Sequence, residues 1–153
     1  VVTWNIGGND LRAARDSYKA GTCGKDGDDE YCLKEAVATF KSNWDAIVSE
    51  IKALRAGQNT IYRTMDIYNP YVNEDDEATR LVLDGYLDQA NLHIANQAST
   101  FGYLYAEVYE AFGGGVTDPE DLGYIGLDGL HPNDEGHKKI AALLQALGYS
   151  AGP

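Results

Sequence analysis

Two kinds of hydrophobic pattern alternate along the chain. Short runs rich in β-branched and aromatic residues are typical of strands, and they occur at residues 1–6, 60–66 and 102–108. Longer stretches with apolar residues three or four apart are typical of amphipathic helices, and they occur at residues 33–54, 77–98 and 133–147. Apart from a short helix around residues 11–19, the predicted order is strand, helix, strand, helix, strand, loop, helix.

Capping and turn residues separate these elements. Asn133 precedes the last helix as its expected N-cap, and Gly148 follows it. Asn69-Pro70 marks the loop after the second strand. Alternating strands and helices indicate a parallel α/β sheet with helices on its faces. Ligands of such sheets gather at the carboxyl ends of the strands, so the first and third strands are expected to deliver their loops to one edge.

Length and charge limit the functions that fit. The chain has 153 residues, 44% of them hydrophobic, and one α/β domain spanning residues 1–153 is expected. The formal charge of −12 argues against nucleic acid as a partner and disfavours an anionic membrane surface. No apolar run approaches the roughly 18 residues that a membrane span needs.

Cys23 and Cys32 flank a polar loop, and they are the only two cysteines. An even count around a short loop favours a disulfide, with two reduced thiols as the alternative. A disulfide implies an oxidising setting, so a secreted or extracytoplasmic location is expected. The bond would pin the loop that follows the first glycine turn.

The segment GLDGLHPNDEGH contains Asp128 and His131, three residues apart in a loop. A carboxylate that accepts from one imidazole nitrogen fixes the tautomer and leaves the other nitrogen free as a base. Pro132 biases His131 toward an extended conformation just before a helix. Taken alone, the pair also fits an incidental surface contact.

The segment IGGND follows the first strand. Gly7 and Gly8 permit a sharp turn and a close approach of the backbone to a ligand. The Asn9 amide is a neutral donor that could stabilise a developing oxyanion, whereas Asp10 is expected to brace the turn. An ordinary strand-to-loop turn has the same composition.

The two segments together resemble the SGNH, or GDSL, family of serine esterases and lipases. Gly7-Gly8-Asn9-Asp10 is similar to the family block whose Asn contributes to the oxyanion hole. Asp128-Gly129-Leu130-His131 is similar to the block that supplies the acid and the base. The resemblance covers essentially the whole chain, and it implies ester hydrolysis through a Ser-His-Asp triad with no metal or organic cofactor.

Two blocks of that family have no counterpart here. The Gly-Asp-Ser strand end that carries the nucleophile is absent, and so is the block with a second oxyanion-hole glycine. The nearest string, Arg15-Asp16-Ser17, comes after the GGND turn and lacks the glycine. We therefore expect Ser17 to be a surface residue and the nucleophilic serine to lie outside this chain. The remaining serines, in no setting like a nucleophile turn, are Ser42, Ser49, Ser99 and Ser150.

The resemblance also implies a three-layer α/β/α, flavodoxin-like sheet without its first two strands. In the family's five-stranded order 2-1-3-4-5, residues 1–6 would form the third strand, with one edge unpaired. An open hydrophobic edge is an aggregation hazard. We expect a separate amino-terminal chain, a second copy or a further segment to cover it, and a monodisperse, well-folded monomer in gel filtration would contradict this.

Other residues have weaker claims on function. His137 is expected on the surface of the last helix, with a second catalytic role as the alternative, and His93 is expected at the core boundary. The stretch KDGDDEY resembles a calcium loop only loosely. Tyr68, with Tyr62 and Tyr71, falls near the exit of the second strand, where it could line a substrate pocket or pack at the sheet end.

The sequence thus predicts a secreted SGNH-type ester hydrolase with Asn9 as oxyanion donor, His131 as base and Asp128 as orienting acid. Gly8 and Tyr68 are the predicted substrate-binding residues. An isolated chain without the nucleophile is expected to be inactive. A non-catalytic fragment or subunit that needs an amino-terminal partner is the first alternative, and a carbohydrate acetylesterase is the second.

Overall fold

A computed structural model describes residues 1–150. Three parallel strands form its sheet in the order β1-β2-β3, and they are β1 Val2–Trp4, β2 Tyr62–Met65 and β3 Leu104–Ala106. Thr64 lies at the centre, opposite Trp4 on one side and Tyr105 on the other. This is the order expected for the last three strands of the five-stranded sheet.

Five helices accompany the strands: α1 Gly8–Lys19, α2 Tyr31–Leu54, α3 Glu77–Phe101, α4 Val108–Ala111 and α5 Asp134–Ala146. The helices α2 and α3 cover one face of the sheet, and α4 and α5 cover the other. The predicted parallel α/β architecture in three layers is therefore confirmed.

Aromatic residues dominate the core under α2 and α3. Trp44 is fully buried and packs with Phe40 from the same helix and with Trp4 from β1. Tyr103 meets Trp4 edge to face, with ring centroids 5.4 Å apart. Truncating a large buried aromatic residue typically costs about 3–5 kcal/mol, so Trp44→Ala is expected to endanger the fold.

The opposite face carries a smaller core. Met65, Val108 and Phe112 are buried there against the apolar side of α5. That side consists of Ile140, Leu143 and Leu144, followed by Leu147 directly after the helix.

Two of the element boundaries that differ from the sequence prediction lie close to the candidate functional residues or at a sheet end. The first helix begins at Gly8 rather than near residue 11, so the GGND segment is the first turn of α1 and not a loop before it. The third strand ends at Ala106, and Val108 already belongs to α4. The chain turns there because the buried Asp66 carboxylate accepts a hydrogen bond from the Tyr109 backbone N–H at 2.8 Å.

One edge of the sheet is open in the part of the chain that the structure describes. Within residues 1–150, β1 pairs only with β2, and Val1 and Thr3 are exposed. Coverage of this edge by another segment or chain remains a prediction.

The disulfide joins Cys23 to Cys32 and closes the connection between α1 and α2. Cys23 is buried with Ala14 and Leu33, so the bond ties the loop to the packing between these helices. We refer to the residues around this bond, Ala14, Cys23, Leu33, Leu83 and Tyr86 among them, as the disulfide cluster. Among residues 1–150, no helix combines the length and the apolar character that crossing a membrane requires.

Candidate active site

The start of α1 forms one side of the candidate site. Gly7 has a φ of 104°, and a side chain there would overlap the Phe40 ring, so only glycine fits. No side chain caps the helix, which leaves the amide groups of its first turn available. Asn9 and Asp10 lie in that turn with exposed side chains. A helix amino terminus favours negative charge through the same amides and the helix dipole.

Asp128 and His131 form a direct pair on the opposite loop. His131 Nδ1 lies 2.7 Å from Asp128 Oδ2, and the two side chains are 72% and 53% exposed. Asp128 Oδ1 also accepts the backbone N–H groups of Leu130 and His131 at 3.0 Å each. These bonds, first of all the one from the imidazole, hold the pKa of Asp128 well below its usual range. An ionised Asp128 can accept a hydrogen bond from Nδ1–H, an arrangement in which Nε2 is free to accept a proton.

The loop that carries this pair is fixed to its own helix. Asn133 Oδ1 accepts the N–H groups of Glu135 and Gly136, which makes it the predicted N-cap of α5. Its Nδ2 donates to the carbonyl groups of Gly123 and Ile125 at 2.9 Å each. The His131 carbonyl accepts the Gly126 N–H at 2.8 Å. His131 therefore sits on a closed, hydrogen-bonded loop and not on a free arm.

The start of α1 and the loop that carries His131 line the same cavity, which has a volume of about 290 Å³. Gly8 and Asn9 line it from α1, and His131 lines it from the opposite loop. Tyr68 contributes from the exit of β2. Asp128 is not a lining residue; it contacts His131 from outside the cavity. Four of the residues singled out from the sequence thus line one cavity, and the fifth, Asp128, is hydrogen-bonded to one of them.

Tyr68 has a bond that the sequence did not reveal. Its hydroxyl donates to the Leu130 carbonyl at 2.8 Å, and its ring packs on Phe112 with centroids 4.9 Å apart. Burial raises the pKa of Tyr68 to about 12, so the hydroxyl stays protonated and continues to donate. Tyr68 connects the exit of β2 to the residue before His131, which gives it a positioning contact as well as a place in the cavity wall.

Two ion-paired or hydrogen-bonded clusters in the cavity wall also escaped the sequence analysis. Arg15 is buried, stacks on the Tyr71 ring and bonds Asp75 through two nitrogens at 2.7 and 3.0 Å. Asn69 Nδ2 donates to Asp84 Oδ1 at 2.8 Å. The partners are 60 and 15 residues apart, and no local pattern signals such long-range pairs.

Several other residues lie away from the cavity. His137 is exposed on α5, and Tyr62 packs on the large aromatic core. Ser17 is a helical residue whose hydroxyl donates to the Ala13 carbonyl. No serine lines the cavity in residues 1–150.

The KDGDDEY stretch has an internal partner for its central carboxylate. Lys34 Nζ donates to both oxygens of Asp28 at 2.7 and 2.8 Å. The Lys34 ammonium group therefore occupies the position next to this carboxylate. In the described part of the chain, no group of three or more His, Cys, Asp or Glu side chains is arranged to hold a metal ion.

With this geometry in place, comparison with known proteins identifies the class. The model of the GDSL-like lipase/acylhydrolase family matches residues 1–139, and the chain belongs to that family. Among curated proteins, the chain is 23% identical over 151 residues to the spore germination lipase LipC of Bacillus licheniformis. That match covers 97% of this chain and 63% of the relative.

Among solved structures, the crystal structure of the lipase Lip_vut3 from a goat rumen metagenome superposes with a TM-score of 0.74 at 22% identity. It covers 97% of this chain and 63% of the lipase, and at this identity it shows a shared fold. The chain therefore spans less than two thirds of the length of both relatives.

Proposed function

We propose that this protein is the part of a serine-dependent carboxylic ester hydrolase that carries the base, the orienting acid and one oxyanion donor. The observation that carries the proposal is the shared cavity, in which Asn9 and the start of α1 line the same space as His131, with Asp128 bonded to Nδ1. Membership of the lipase/acylhydrolase family and the likeness to two lipases support it.

In the proposed reaction a serine hydroxyl attacks the ester carbonyl. His131 Nε2 accepts the serine proton, and Asp128 stabilises the imidazolium that forms. The carbonyl oxygen becomes an oxyanion, to which the Asn9 amide and first-turn N–H groups of α1 donate. His131 then protonates the leaving alcohol. In the second half it accepts a proton from water, which attacks the acyl-serine and releases the carboxylic acid and the free serine.

The serine is proposed to lie outside these 153 residues. Support comes from the lining of the cavity, which contains no serine in residues 1–150, and from the greater length of both relatives. The sequence upstream of Val1 in the gene is the quickest check, because a strand followed by Gly-Asp-Ser there would supply the nucleophile. The secreted location is proposed on the disulfide alone.

The test uses the longest natural protein that contains this sequence. Hydrolysis of p-nitrophenyl acetate and butyrate is measured, and the serine labelled by a fluorophosphonate is located by mass spectrometry. We expect activity that Asn9→Ala lowers by about 100-fold or more and that His131→Ala abolishes, with the label outside residues 1–153. Hydrolysis that survives His131→Ala, or a label on Ser17, would refute the assignment.

The absence of a serine from the described cavity wall also favours a second candidate, a non-catalytic domain that binds or assembles. Under this alternative the natural protein would not react with the fluorophosphonate, and neither variant would change any measured hydrolysis. Assaying the 153-residue chain alone and then with a co-purifying amino-terminal partner separates the two, since only the hydrolase should gain activity on reconstitution.

A further inference from the structure

The two sides of the candidate site are not hydrogen-bonded to each other. Asn9 lies in the first turn of α1, whereas His131 lies in the loop between β3 and α5. Among residues 1–150, no hydrogen bond joins α1 to that loop. An oxyanion donor and a base act on one transition state only when their separation is fixed. That separation therefore depends on the parts of the chain that contact both sides.

The segment between β2 and α3, residues 66–76, is bonded to the base side. We call it the bridging loop. The Tyr68 hydroxyl donates to the carbonyl of Leu130, the residue before the base, at 2.8 Å. The Asn73 N–H donates to the buried carboxylate of Asp118, which belongs to the same loop as the base, at 2.9 Å. Two separate hydrogen bonds thus fix the bridging loop to the loop that carries the base.

Arg15 joins the bridging loop to α1. Its Nε and Nη2 atoms donate to the two carboxylate oxygens of Asp75 at 3.0 and 2.7 Å, and Nη2 also donates to Glu74 at 3.2 Å. Its Cζ atom lies 3.7 Å from the centroid of the Tyr71 ring. The side chains of Arg15 and Asp75 are only 11% and 3% exposed. A planar guanidinium that is bonded through two nitrogens and stacked on a ring has a defined orientation, which an ammonium group lacks.

We propose that Arg15 is a positioning residue, which holds the oxyanion side of the site at a fixed distance from the base side through the bridging loop. The proposal rests on the proposed function, because it assigns a role in the same reaction. Arg15 lies six residues after Asn9 on one continuous helix, so the helix transmits the position of the guanidinium to the oxyanion donor. A displacement of about 1 Å between reacting groups can lower a rate about 100-fold.

Arg15→Lys removes the orientation of this contact and keeps its charge. The lysine ammonium can still approach Asp75, but it can neither bond both carboxylate oxygens in a fork nor stack on the ring in the same way. The variant is expected to fold, because Lys19 also contacts Asp75. In addition, Ala14 packs in the disulfide cluster and so attaches α1 to α2 independently of its neighbour.

Arg55→Lys is the matched control. Arg55 follows α2 and donates to the Thr60 hydroxyl at 3.3 Å, and neither residue lines the cavity that is described here. The substitution therefore exchanges an arginine that has a side-chain hydrogen bond for a lysine, at a place that contacts neither side of the site.

The test measures hydrolysis of p-nitrophenyl butyrate by the natural protein, with the concentration of reactive sites taken from titration with a fluorophosphonate. We expect Arg15→Lys to lower kcat per reactive site by about 100-fold and to leave KM within roughly threefold of the parent value. Arg55→Lys should leave both constants within roughly twofold. A residue that only stabilised the fold would lower the number of reactive sites and leave kcat per site unchanged.

A second measurement combines Arg15→Lys with Asn9→Ala. In the parent protein Asn9→Ala should lower kcat by about 100-fold or more. In the Arg15→Lys protein the same change should cost less than about tenfold, because a displaced donor has little left to contribute. Asp75→Asn loosens the same contact from the bridging loop, should give the same loss of kcat, and serves if Arg15→Lys does not fold.

Two results would overturn the proposal. One is a kcat per reactive site that stays within roughly twofold of the parent value in the folded Arg15→Lys or Asp75→Asn protein. The other is a cost of Asn9→Ala that is the same with and without Arg15→Lys. Either result, together with hydrolysis that requires His131, would refute the positioning role alone. A natural protein without a reactive serine would refute the proposed function and the positioning role with it.

Discussion

Two Asp–His pairs among residues 1–150 have nearly the same contact distance and different surroundings. Asp128 and His131 meet at 2.7 Å through Nδ1 on an exposed loop, whereas Asp45 and His93 meet at 2.8 Å through Nε2 between α2 and α3. The His93 side chain is 13% exposed, and its ring packs against Phe40. Only the first pair leaves Nε2 free, and only His131 lines the cavity. A contact of this kind defines a candidate base only when its remaining nitrogen can reach a substrate.

The largest expected effect is on the rate of ester hydrolysis, and it tests which of the two pairs takes part in the reaction. His131→Ala in the natural protein should lower kcat/KM for p-nitrophenyl butyrate by about 10⁶-fold, because removing a base from such a triad leaves only the oxyanion donors and binding. His137→Ala, on the exposed surface of α5, is the matched control and should change the rate less than twofold. An equal loss of kcat/KM in both variants would mean that His131 contributes no more to the reaction than a surface histidine does.

A smaller effect is expected from the acid of the same pair. Asp128→Asn should lower kcat by about 10⁴-fold with little change in KM, because an amide neither holds the reactive tautomer of His131 nor stabilises the imidazolium. Asp45→Asn, which makes the corresponding change in the other pair, should leave kcat unaltered. Steady-state kinetics of the two variants on one ester decide the point. If Asp45→Asn lowers kcat as far, the partly buried pair of Asp45 and His93 takes part in the reaction.

Asp66 provides a contrast with the carboxylates of the two pairs. Its side chain is buried and has no cationic partner in the contacts described. Burial raises the pKa of Asp66 to about 6, against a reference value of 3.8. As the pH rises from 3.8 to 6, the unfolded state loses this proton first, so the free energy of unfolding falls across that window and the loss persists above it. Asp66→Asn removes the free-energy cost of burying a charged carboxylate, and the Asn side chain can still accept the hydrogen bond from the Tyr109 N–H.

Asp66→Asn should therefore raise the free energy of unfolding at pH 7.5 by roughly 2–3 kcal/mol and have little effect at pH 3.5. Urea unfolding of the variant and the parent protein at the two pH values measures this difference in the free energy of unfolding. Asp29→Asn removes one exposed charge and is the control, with no pH-dependent gain expected. A destabilised Asp66→Asn at neutral pH would mean that the charged carboxylate has a partner that these contacts do not include.

The smallest expected effect concerns the partly buried pair of Asp45 and His93. A double-mutant cycle with His93→Gln and Asp45→Asn should give a coupling free energy of about 0.5–1 kcal/mol, because Asp45 is 39% exposed and solvent screens the pair. The same cycle at His131 and Asp128 should give a smaller coupling free energy when unfolding is measured and a far larger one when the activation free energy of hydrolysis is measured. A larger coupling in unfolding at the exposed pair would reverse the interpretation of the two sites.

Local patterns in the sequence predicted the features that depend on local contacts. The periodicity of residues 33–54 and 77–98 gave α2 and α3 to within three residues at each end, because each helix buries a continuous apolar side. The Asp128–His131 contact and the Asn133 cap join residues within three positions of each other. Neither prediction needed tertiary information.

Features set by distant contacts were missed. At Gly7, the residue before α1, the Phe40 ring occupies the place of a side chain, and just after β3 the Tyr109 N–H donates to the Asp66 carboxylate. The Tyr68 bond to Leu130 joins residues 62 positions apart. The sequence pointed to Tyr68 as a cavity residue but could not show where its hydroxyl goes.

The hydrogen bonds of the loop between β3 and α5 have a consequence for assembly and engineering. The Asn133 side chain bonds Gly123 and Ile125, the Asn133 N–H reaches the Tyr124 carbonyl, and Gly126 bonds His131, all within a short stretch of chain. Short-range contacts close quickly and at low entropic cost, so this loop can take shape before the sheet is complete. We therefore expect the loop to keep its shape when it is transplanted into another parallel α/β scaffold that offers a tyrosine at the neighbouring strand end.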